Sequence, residues 1–281
     1  MKALDKIREI ILTFKNQNLE YPEKQAQEIV CHVIRIEKTK LFTENPEITP
    51  RQAHLIDSFV QRRLKREPLQ YILGRCEFYN IKVKVRPGVL IPRPETEILV
   101  EEIIKRKKLI AERGNKIIDL CTGSGCIALA VGKNIPEFQV FGADISEKAI
   151  FYAKENKILN RIKNTHFIVG NLFEPFKKKT FACIVSNPPY VKTEEIKRLQ
   201  PEIRDYEPLE ALDGGSDGLK FYRKIIKDAK EYLVKKGLIF FEIGSGQSEA
   251  IQKIASSNDF KIVSLLKDLA GFERVMILKN N

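Results

Sequence analysis

The sequence predicts an α/β protein with a doubly wound, mostly parallel sheet of seven strands, preceded by a small helical-bundle domain and a linking β-hairpin. Three observations support this prediction. Residues 1–75 carry apolar residues at helical spacing and contain no strand pattern. Within residues 76–92, apolar and polar residues alternate with a period of two. From residue 116 onward, short apolar segments alternate with helical patterns, as in a parallel sheet.

Composition excludes several classes of protein. The chain has 281 residues, a formal net charge of +12 and a pI of about 9.4. It contains no run of about 18 apolar residues, which a membrane-spanning helix requires, and no apolar secretory signal. Its five cysteines are scattered and lack zinc-site spacing. We therefore expect a cytoplasmic protein without a structural metal. The charge alone leaves open a nucleic-acid partner or a solvated lysine-rich surface.

The N-terminal helices show clear sequence signals. Apolar residues recur at helical spacing over residues 7–14 and 26–34. Thr49 followed by Pro50 predicts an N-cap and a first helical residue, and this helix is expected to end before Pro68. Its basic run, Arg62-Arg63-x-Lys65-Arg66, predicts either a solvated side or a docking surface for an acidic protein.

The hairpin is predicted to connect two domains. Alternation after Tyr79 predicts a strand up to Val85, Arg86-Pro87-Gly88 predicts the turn, and residues 89–91 resume the apolar pattern. Pro92-Arg93-Pro94 then favours an extended stretch, followed by a helix from residues 95–97. The predicted boundaries are 1–75 for an N-terminal helical domain, 76–95 for the hairpin linker and 96–281 for the α/β domain.

The α/β domain is predicted from the alternation of its segments. Strands are expected at residues 116–120, 140–144, 167–169, 181–185, 238–243, 261–266 and 274–278. Helices are expected at about residues 125–132, 147–159 and 218–234.

A glycine-containing turn follows the first of these strands. Gly123-x-Gly125 allows a sharp turn and close approach of a ligand to the backbone. Asp144 ends the second strand, 21 residues after Gly123, where an acidic side chain can accept both hydroxyls of a ribose. The pattern indicates an adenosine site at the carboxyl ends of the strands. It leaves open a nicotinamide cofactor, S-adenosylmethionine or a tight turn without a ligand.

A second motif, Asn187-Pro188-Pro189-Tyr190, follows the fourth strand. Consecutive prolines remove two backbone donors and stiffen the loop. The side-chain oxygen of Asn187 and the carbonyl of Pro188 can then accept from one planar NH2 group, while Tyr190 lies against its π system. This arrangement suits methyl transfer to an amide or aromatic amine nitrogen, where positioning supplies much of the rate. The alternative is a proline-rich loop without a catalytic role.

In this place, Asn-Pro-Pro-Tyr resembles the class I amino-methyltransferases, which act on adenine, guanine or protein glutamine. Further segments resemble the release factor glutamine methyltransferases, the HemK/PrmC family, over nearly the whole chain. These segments are Pro68–Gly74, Glu77–Tyr79, Ile91–Glu97, Tyr206–Leu212, Asp217–Leu219, Glu242–Gln247 and Asp268–Gly271.

This resemblance implies a Rossmann-like methyltransferase sheet, S-adenosylmethionine as methyl donor and S-adenosylhomocysteine as product. It implies N5-methylation of the glutamine in the Gly-Gly-Gln motif of class I peptide chain release factors. The implied donor-binding residues are Cys121, Thr122, Gly123, Ser124, Gly125, Asp144, Asn171, Leu172 and Asn187. The implied catalytic and substrate-binding residues are Asn187, Pro188, Pro189 and Tyr190. Arg93 to Thr96 would border the donor pocket, and Glu207, Pro208 and Glu242 would support the substrate pocket.

Three positions depart from the family pattern. The family often has Asp at Asn171, an aromatic residue at Leu172 and Gly at Cys121. Asn can still accept from an adenine amino group, whereas Leu covers a ring but stacks less well. We expect altered donor affinity without loss of function. The Cys121 thiol is interpreted as packing, because no adjacent histidine could activate it.

Alternative functions remain open at this point. The alternative function is an amino-methyltransferase acting on adenine or guanine in nucleic acid, which the charge favours but which lacks an evident target-recognition insertion. A non-enzymatic adenosine-binding module leaves the Asn187–Tyr190 loop unexplained. A nicotinamide dehydrogenase is disfavoured, because no catalytic His or similar proton donor follows the nucleotide-binding pattern. We expect a monomer with release factors as partners, without membrane association or direct nucleic-acid binding.

Overall fold

The structure, a computed structural model, describes residues 1–280 and divides them into two compact units. The first unit comprises Met1–Gly74 together with Pro201–Tyr206. The second comprises Arg75–Gln200 and the chain from Glu207 onward. No helix among residues 1–280 combines the length and apolar character needed to cross a membrane.

The first unit is helical, as the N-terminal pattern predicts. Its helices are α1 (Ala3–Asn16), α2 (Pro22–Ile34), α3 (Lys38–Glu44), α4 (Pro50–Leu64) and α5 (Leu69–Leu73), and the short α10 (Pro201–Arg204) belongs to the same unit. The apolar faces of α1, α2 and α4 form its core, with Ile10, Phe14 and Ile29 buried. Thr49 caps α4 as predicted. Its hydroxyl oxygen accepts a hydrogen bond from the backbone N–H of Gln52 at 3.3 Å, and the side-chain oxygen of Gln52 accepts one from the backbone N–H of Thr49 at 3.0 Å.

The basic run at the end of α4 is paired inside this unit. Arg63 is buried and donates to Gln25 Oε1 at 2.7 Å and to Glu202 Oε1 at 2.9 Å. Arg66 lies 3.4 Å from the same Glu202 oxygen, and Arg62 pairs with Glu67 at 2.5 Å. The solvated-side interpretation is therefore wrong for Arg63, which holds the segment Pro201–Tyr206 through Glu202.

A two-stranded hairpin opens the second unit. Strand β1 (Arg75–Phe78) pairs antiparallel with β2 (Ile81–Lys84), and Phe78 faces Ile81. The hairpin is confirmed, but its turn was predicted in the wrong place. Tyr79 and Asn80 form the turn with φ of 39° and 64°, the left-handed backbone that a two-residue hairpin turn uses. Arg86-Pro87-Gly88 makes a separate local turn, and residues 89–91 form no strand.

The main sheet has seven strands among the described residues. They are β3 (Lys116–Leu120), β4 (Gln139–Asp144), β5 (Thr165–Val169), β6 (Phe181–Ser186), β7 (Leu233–Glu242), β8 (Phe260–Lys267) and β9 (Glu273–Asn280). Their order is β5-β4-β3-β6-β7-β9-β8, with β3 to β7 parallel and β9 antiparallel to β7 and β8. The predicted doubly wound, mostly parallel sheet is confirmed.

Helices cover both faces of this sheet, which explains why every residue of β6 is buried. They are α6 (Glu97–Lys105), α7 (Lys107–Ala111), α8 (Cys126–Asn134), α9 (Glu147–Leu159), α11 (Lys220–Tyr232) and α12 (Ser248–Ser257). Tyr222, Ile225 and Ala229 bring α11 into the sheet core. The sequence pattern did not identify α12, a short helix in which Ile251 and Ala255 supply the buried apolar face.

The strand order reverses between β3 and β6, because the chain adds β4 and β5 on one side of β3 and returns to place β6 on the other. The connections leaving these neighbouring strands diverge, which opens a crevice at their carboxyl ends. This crevice is where the sequence predicts the ligand site.

Candidate active site

A cavity of about 250 Å³ lies at the carboxyl ends of β3, β4, β5 and β6. The predicted site residues that line it are Cys121, Thr122, Gly123, Ser124, Asp144, Asn171, Leu172, Asn187 and Pro189. Gly125, Pro188 and Tyr190 do not line it. The fold thus brings most of the predicted positions to one cavity.

The turn after β3 has the backbone of a ligand-binding loop. Cys121, Gly123 and Gly125 have φ of 58°, 55° and 78°. Gly125 begins α8, and a Cβ there would lie 2.8 Å from Phe167 Cζ and 2.9 Å from Ala153 Cβ. Gly125 therefore packs the loop against β5 and α9 and does not face the cavity. The left-handed backbone at Cys121 explains physically why glycine suits that position.

Asp119 stabilises the turn after β3 through hydrogen bonds with Thr122 and with Ala128. Its buried Oδ2 accepts from the Thr122 hydroxyl at 2.5 Å and from the Ala128 amide at 3.2 Å. Burial raises the pKa of Asp119 from 3.8 to about 7, although these two hydrogen bonds favour the ionised form. Asp119 is a positioning residue for the loop, and it does not line the cavity.

Asp144 lines the cavity at the end of β4. Its Oδ2 accepts from the Gly123 amide at 2.9 Å, and its Oδ1 accepts from the Ser146 amide at 2.9 Å. Burial raises the pKa of this carboxyl, whereas the backbone donors favour its charged form. Each carboxylate oxygen can accept a second hydrogen bond, so the pair can receive two neighbouring hydroxyl groups.

Ser124 also lines the cavity, but its side chain is buried, with 2% of the residue exposed. Among the predicted positions, Asp144 carries two acceptor oxygens that fit the neighbouring hydroxyl groups of a ribose.

Asn171 and Leu172, which follow β5 after Gly170, make contacts within the protein itself. Asn171 donates to Glu174 Oε1 at 2.9 Å and accepts from Lys224 Nζ at 3.1 Å. Leu172 is 6% exposed, belongs to the sheet core and has a left-handed backbone with φ of 53°. Both border the cavity, and their contact with an adenine stays a prediction.

The Asn187–Tyr190 loop follows β6, and hydrogen bonds with three other residues stabilise it. Asn187 Nδ2 lies 3.4 Å from Thr96 Oγ1. The Tyr190 hydroxyl donates to Glu242 Oε1 at 3.3 Å, and the Tyr190 carbonyl accepts from Gln247 Nε2 at 2.9 Å. Tyr190 is thus bonded to Glu242 at the end of β7 and to Gln247, whereas Asn187 is bonded to Thr96, which lies just before α6.

Glycine is required next to this loop. Gly218 has φ of 75°, and a Cβ there would lie 2.4 Å from the Tyr190 carbonyl oxygen. A Cβ on Gly214 would lie 2.7 Å from Tyr190 Cα. The segment before α11 therefore packs backbone against backbone with the Asn187–Tyr190 loop.

The sequence pattern predicted some cavity residues only as part of a bordering segment and did not predict others. Arg93 lines the cavity and binds both oxygens of the buried Glu207 at 2.7 and 2.8 Å. Burial raises the pKa of Glu207, and the Arg93 charge opposes that shift. Phe221 and Glu210 also line the cavity and were not predicted. A signal for Phe221 existed, because this aromatic residue lies beside the apolar face of α11.

Comparisons with known proteins agree with this geometry. Residues 93–202 match the family model described as the Methyltransferase small domain, and residues 5–74 match the PrmC N-terminal domain. The crystal structure of a ribosomal protein L11 methylase from Lactobacillus delbrueckii subsp. bulgaricus shares the fold. The TM-score is 0.51 at 20% identity, over 71% of this chain and 86% of that one. Fold, cavity and domain match together define a methyltransferase.

Closer relatives give the family. The release factor glutamine methyltransferase of Thermodesulfovibrio yellowstonii is 64% identical over 281 residues, which is 100% of this chain and 99% of that protein. The protein of the same name from Fusobacterium nucleatum subsp. nucleatum is 42% identical over 98% of this chain and 78% of its own length. The chain belongs to the release factor glutamine methyltransferase family.

Proposed function

We propose that this protein transfers the methyl group of S-adenosylmethionine to N5 of the glutamine in the Gly-Gly-Gln motif of class I peptide chain release factors. The observation that carries the proposal is that Asp144 and Asn187, the first residue of the Asn187–Tyr190 loop, line the same cavity. The names of the relatives support the substrate. They do not favour the alternative, methylation of adenine or guanine in nucleic acid.

Different cavity residues would bind different parts of S-adenosylmethionine, the methyl donor. Asp144 would accept the ribose hydroxyls, and the residues from Cys121 to Ser124 would follow the methionine and adenosine portions. Asn171 and Leu172 would border the adenine. The donor supplies an electrophilic methyl group on a sulfonium sulfur, so the protein needs no nucleophile of its own.

The loop after β6 would orient the substrate amide. A glutamine amide is a poor nucleophile because its nitrogen lone pair is delocalised. Asn187 Oδ1 and the Pro188 carbonyl would each accept one amide hydrogen, which increases electron density on nitrogen as its new bond to carbon forms. Tyr190 would cover the amide plane. The nitrogen proton becomes acidic once the bond has formed and can then leave.

The helical unit is proposed to dock the release factor, and the enzyme is proposed to act as a cytoplasmic monomer. Because Arg63 and Arg66 are already paired with Glu202, docking would use other residues of this unit. Sedimentation of the enzyme with and without a release factor would measure both the oligomeric state and the stoichiometry of the complex.

The direct test is transfer of labelled methyl from S-adenosylmethionine. We expect label on a release factor, none on its Gln→Ala version in the Gly-Gly-Gln motif, and none on DNA or RNA. Asn187→Ala should lower kcat by about 100-fold or more, because it removes an acceptor aimed at the reacting nitrogen. Asn258→Ala is the matched control, since Asn258 only caps α12 through a bond to Ile254. Label on nucleic acid would transfer support to the alternative function.

A further inference from the structure

A buried chain of hydrogen bonds connects to the Asn187–Tyr190 loop, and Thr96, one member of this chain, also lines the cavity. Glu242 ends β7 and is 2% exposed. Its Oε2 accepts from the Thr96 hydroxyl at 2.6 Å, and its Oε1 accepts from the Tyr190 hydroxyl at 3.3 Å. Thr96 Oγ1 in turn lies 3.4 Å from Asn187 Nδ2. Glu242 therefore bonds directly to Tyr190 and connects to Asn187 through the Thr96 hydroxyl.

The chemistry of these groups fixes the direction of the chain. An ionised carboxylate only accepts hydrogen bonds, so the single hydroxyl proton of Thr96 is committed to Glu242. The Thr96 oxygen then presents lone pairs to Asn187. Only the NH2 end of the Asn187 amide can meet them, which turns Oδ1 to the other side.

The opposite orientation would disable the site. If the Asn187 amide turned by 180°, its NH2 group would meet the NH2 group of a glutamine side chain, donor against donor. The two ends of an asparagine amide have nearly the same shape, so packing alone selects poorly between them. A neighbouring group that can only accept a hydrogen bond from Asn187 is needed to select one orientation of its side-chain amide.

We propose that Thr96 and Glu242 are positioning residues that fix the Asn187 side chain with Oδ1 directed at the substrate amide. This inference rests on the proposed function and deepens it. Neither side chain takes part in the transfer itself. Their role is to make the acceptor end of Asn187 the one that meets the substrate.

The direction of the chain rests on the short contact from Thr96 Oγ1 to Glu242 Oε2. Opposing influences act on the pKa of Glu242, which is raised overall. Burial raises the pKa of Glu242, as does the nearby Glu95. The hydrogen bonds from Thr96 and Tyr190 and the charge of Arg274 oppose that shift. Arg274 is itself fixed, because it binds Asp268 Oδ2 at 3.1 Å and the Ile243 carbonyl at 3.4 Å. A cation is thus held beside the end of β7.

The test compares Thr96→Val, which keeps the shape but removes the hydroxyl, with Thr96→Ser, which keeps the hydroxyl. Thr165→Val is the matched control, because the Thr165 side chain is fully buried in β5 and its hydroxyl has no partner among the described residues. The readouts are kcat and KM for a release factor, and the Kd for S-adenosylhomocysteine by calorimetry.

We expect Thr96→Val to lower kcat by about 10- to 100-fold and to change the Kd of S-adenosylhomocysteine by less than about threefold. Thr96→Ser should restore kcat to within about threefold of wild type, and Thr165→Val should leave it unchanged. Wild-type kcat in Thr96→Val, or equal losses in Thr96→Ser and Thr96→Val, would overturn the proposal. So would a loss of product binding that parallels the loss of kcat, since that would show a merely structural role.

A second measurement separates this inference from the proposed function. The side-chain NH2 of Asn187 can be observed by ¹⁵N NMR in the enzyme without any substrate. We expect slowed hydrogen exchange of this group in wild type and in Thr96→Ser, and fast exchange in Thr96→Val. Equal exchange in all three would refute the orientation. If wild-type enzyme instead showed the protected amide but no methyl transfer to release factors, the proposed function alone would fail.

Discussion

At the residue scale, the two oxygens of Asp144 make the sharpest prediction about donor binding. Asp144→Asn keeps one acceptor but sets an NH2 group against the amide of either Gly123 or Ser146, both of which are donors. We expect the Kd for S-adenosylhomocysteine to rise by about 10- to 100-fold, the range for loss of charge-assisted hydrogen bonds. Calorimetry measures this directly, and the thermal shift caused by the ligand should shrink in parallel.

Glu147→Gln provides the control for Asp144→Asn, because it removes one negative charge from an exposed position in the first turn of α9, outside the cavity. This control should bind within about twofold of wild type, as expected for an exposed charge. Equal affinity of Asp144→Asn and wild type would show that another group holds the ribose.

Individual residues were predictable where a motif prescribed their chemistry. Asp144 and Asn187 could be placed because they end strands whose carboxyl ends meet at one edge of a parallel sheet. Phe221 and Glu210 were assigned no role, although Glu210 lies in the family-like segment Tyr206–Leu212, because neither residue type indicates by itself that its side chain reaches the cavity. The partners of Asn171 were equally invisible, because Lys224 lies 53 residues away in sequence.

At the element scale, the short helix α10 is held in the helical unit by a partly buried ion pair. Arg63 also bonds to Gln25 and to the Glu67 carbonyl, but Glu202 carries the balancing charge. Glu202→Ala should lower the free energy of unfolding by about 2 kcal/mol, because it leaves a buried guanidinium without its carboxylate. Urea unfolding followed by circular dichroism measures the change.

The neighbouring Arg204→Ala is the matched control for Glu202→Ala. Arg204 pairs with Asp205 in the same segment, but both side chains are exposed, so the expected change is below about 0.5 kcal/mol. Equal destabilisation by the two substitutions would mean that loss of the short helix, and not of the buried pair, is responsible.

The elements themselves were predictable to different degrees. Helix α9 begins and ends where its pattern predicts, at Glu147 and Leu159. The hairpin turn was misplaced, because Arg86-Pro87-Gly88 has the residue types of a turn, whereas the observed turn is formed by Tyr79 and Asn80 in left-handed backbone. Helix α12 is short and buries few side chains, so its period is hard to distinguish from the strands on either side.

At the scale of the whole molecule, the alternation of strands and helices predicted a parallel sheet, but it did not predict the order of the strands in that sheet. The insertion of β9 between β7 and β8 depends on antiparallel pairing of Leu238–Glu242 with Val275–Lys279, which no local pattern encodes. The position of Glu242 beside Thr96 follows from this tertiary arrangement. The sequence could therefore indicate the site but not the hydrogen bonds that support it.

The sheet also ties global stability to pH through Asp119. Its pKa is raised from 3.8 to about 7 by burial, so the folded state binds this proton more tightly than the unfolded chain. The resulting stability is fully present below pH 3.8 and is lost as the pH rises through about 7. Asp119→Asn keeps an acceptor for Thr122 and Ala128 but cannot ionise. Relative to wild type, it should therefore gain about 2 kcal/mol of unfolding free energy between pH 5 and pH 8.

Urea unfolding of both proteins at the two pH values measures this difference. Asp205→Asn is the control, because Asp205 is exposed and its pKa is lowered by Arg204, so it titrates below this window. Its difference from wild type should be constant. Effects of other titrating groups cancel, since each variant is compared with wild type at the same pH. If the difference in unfolding free energy between Asp119→Asn and wild type were also the same at both pH values, the Asp119 carboxyl would keep a single protonation state from pH 5 to pH 8. Burial would then not set its pKa.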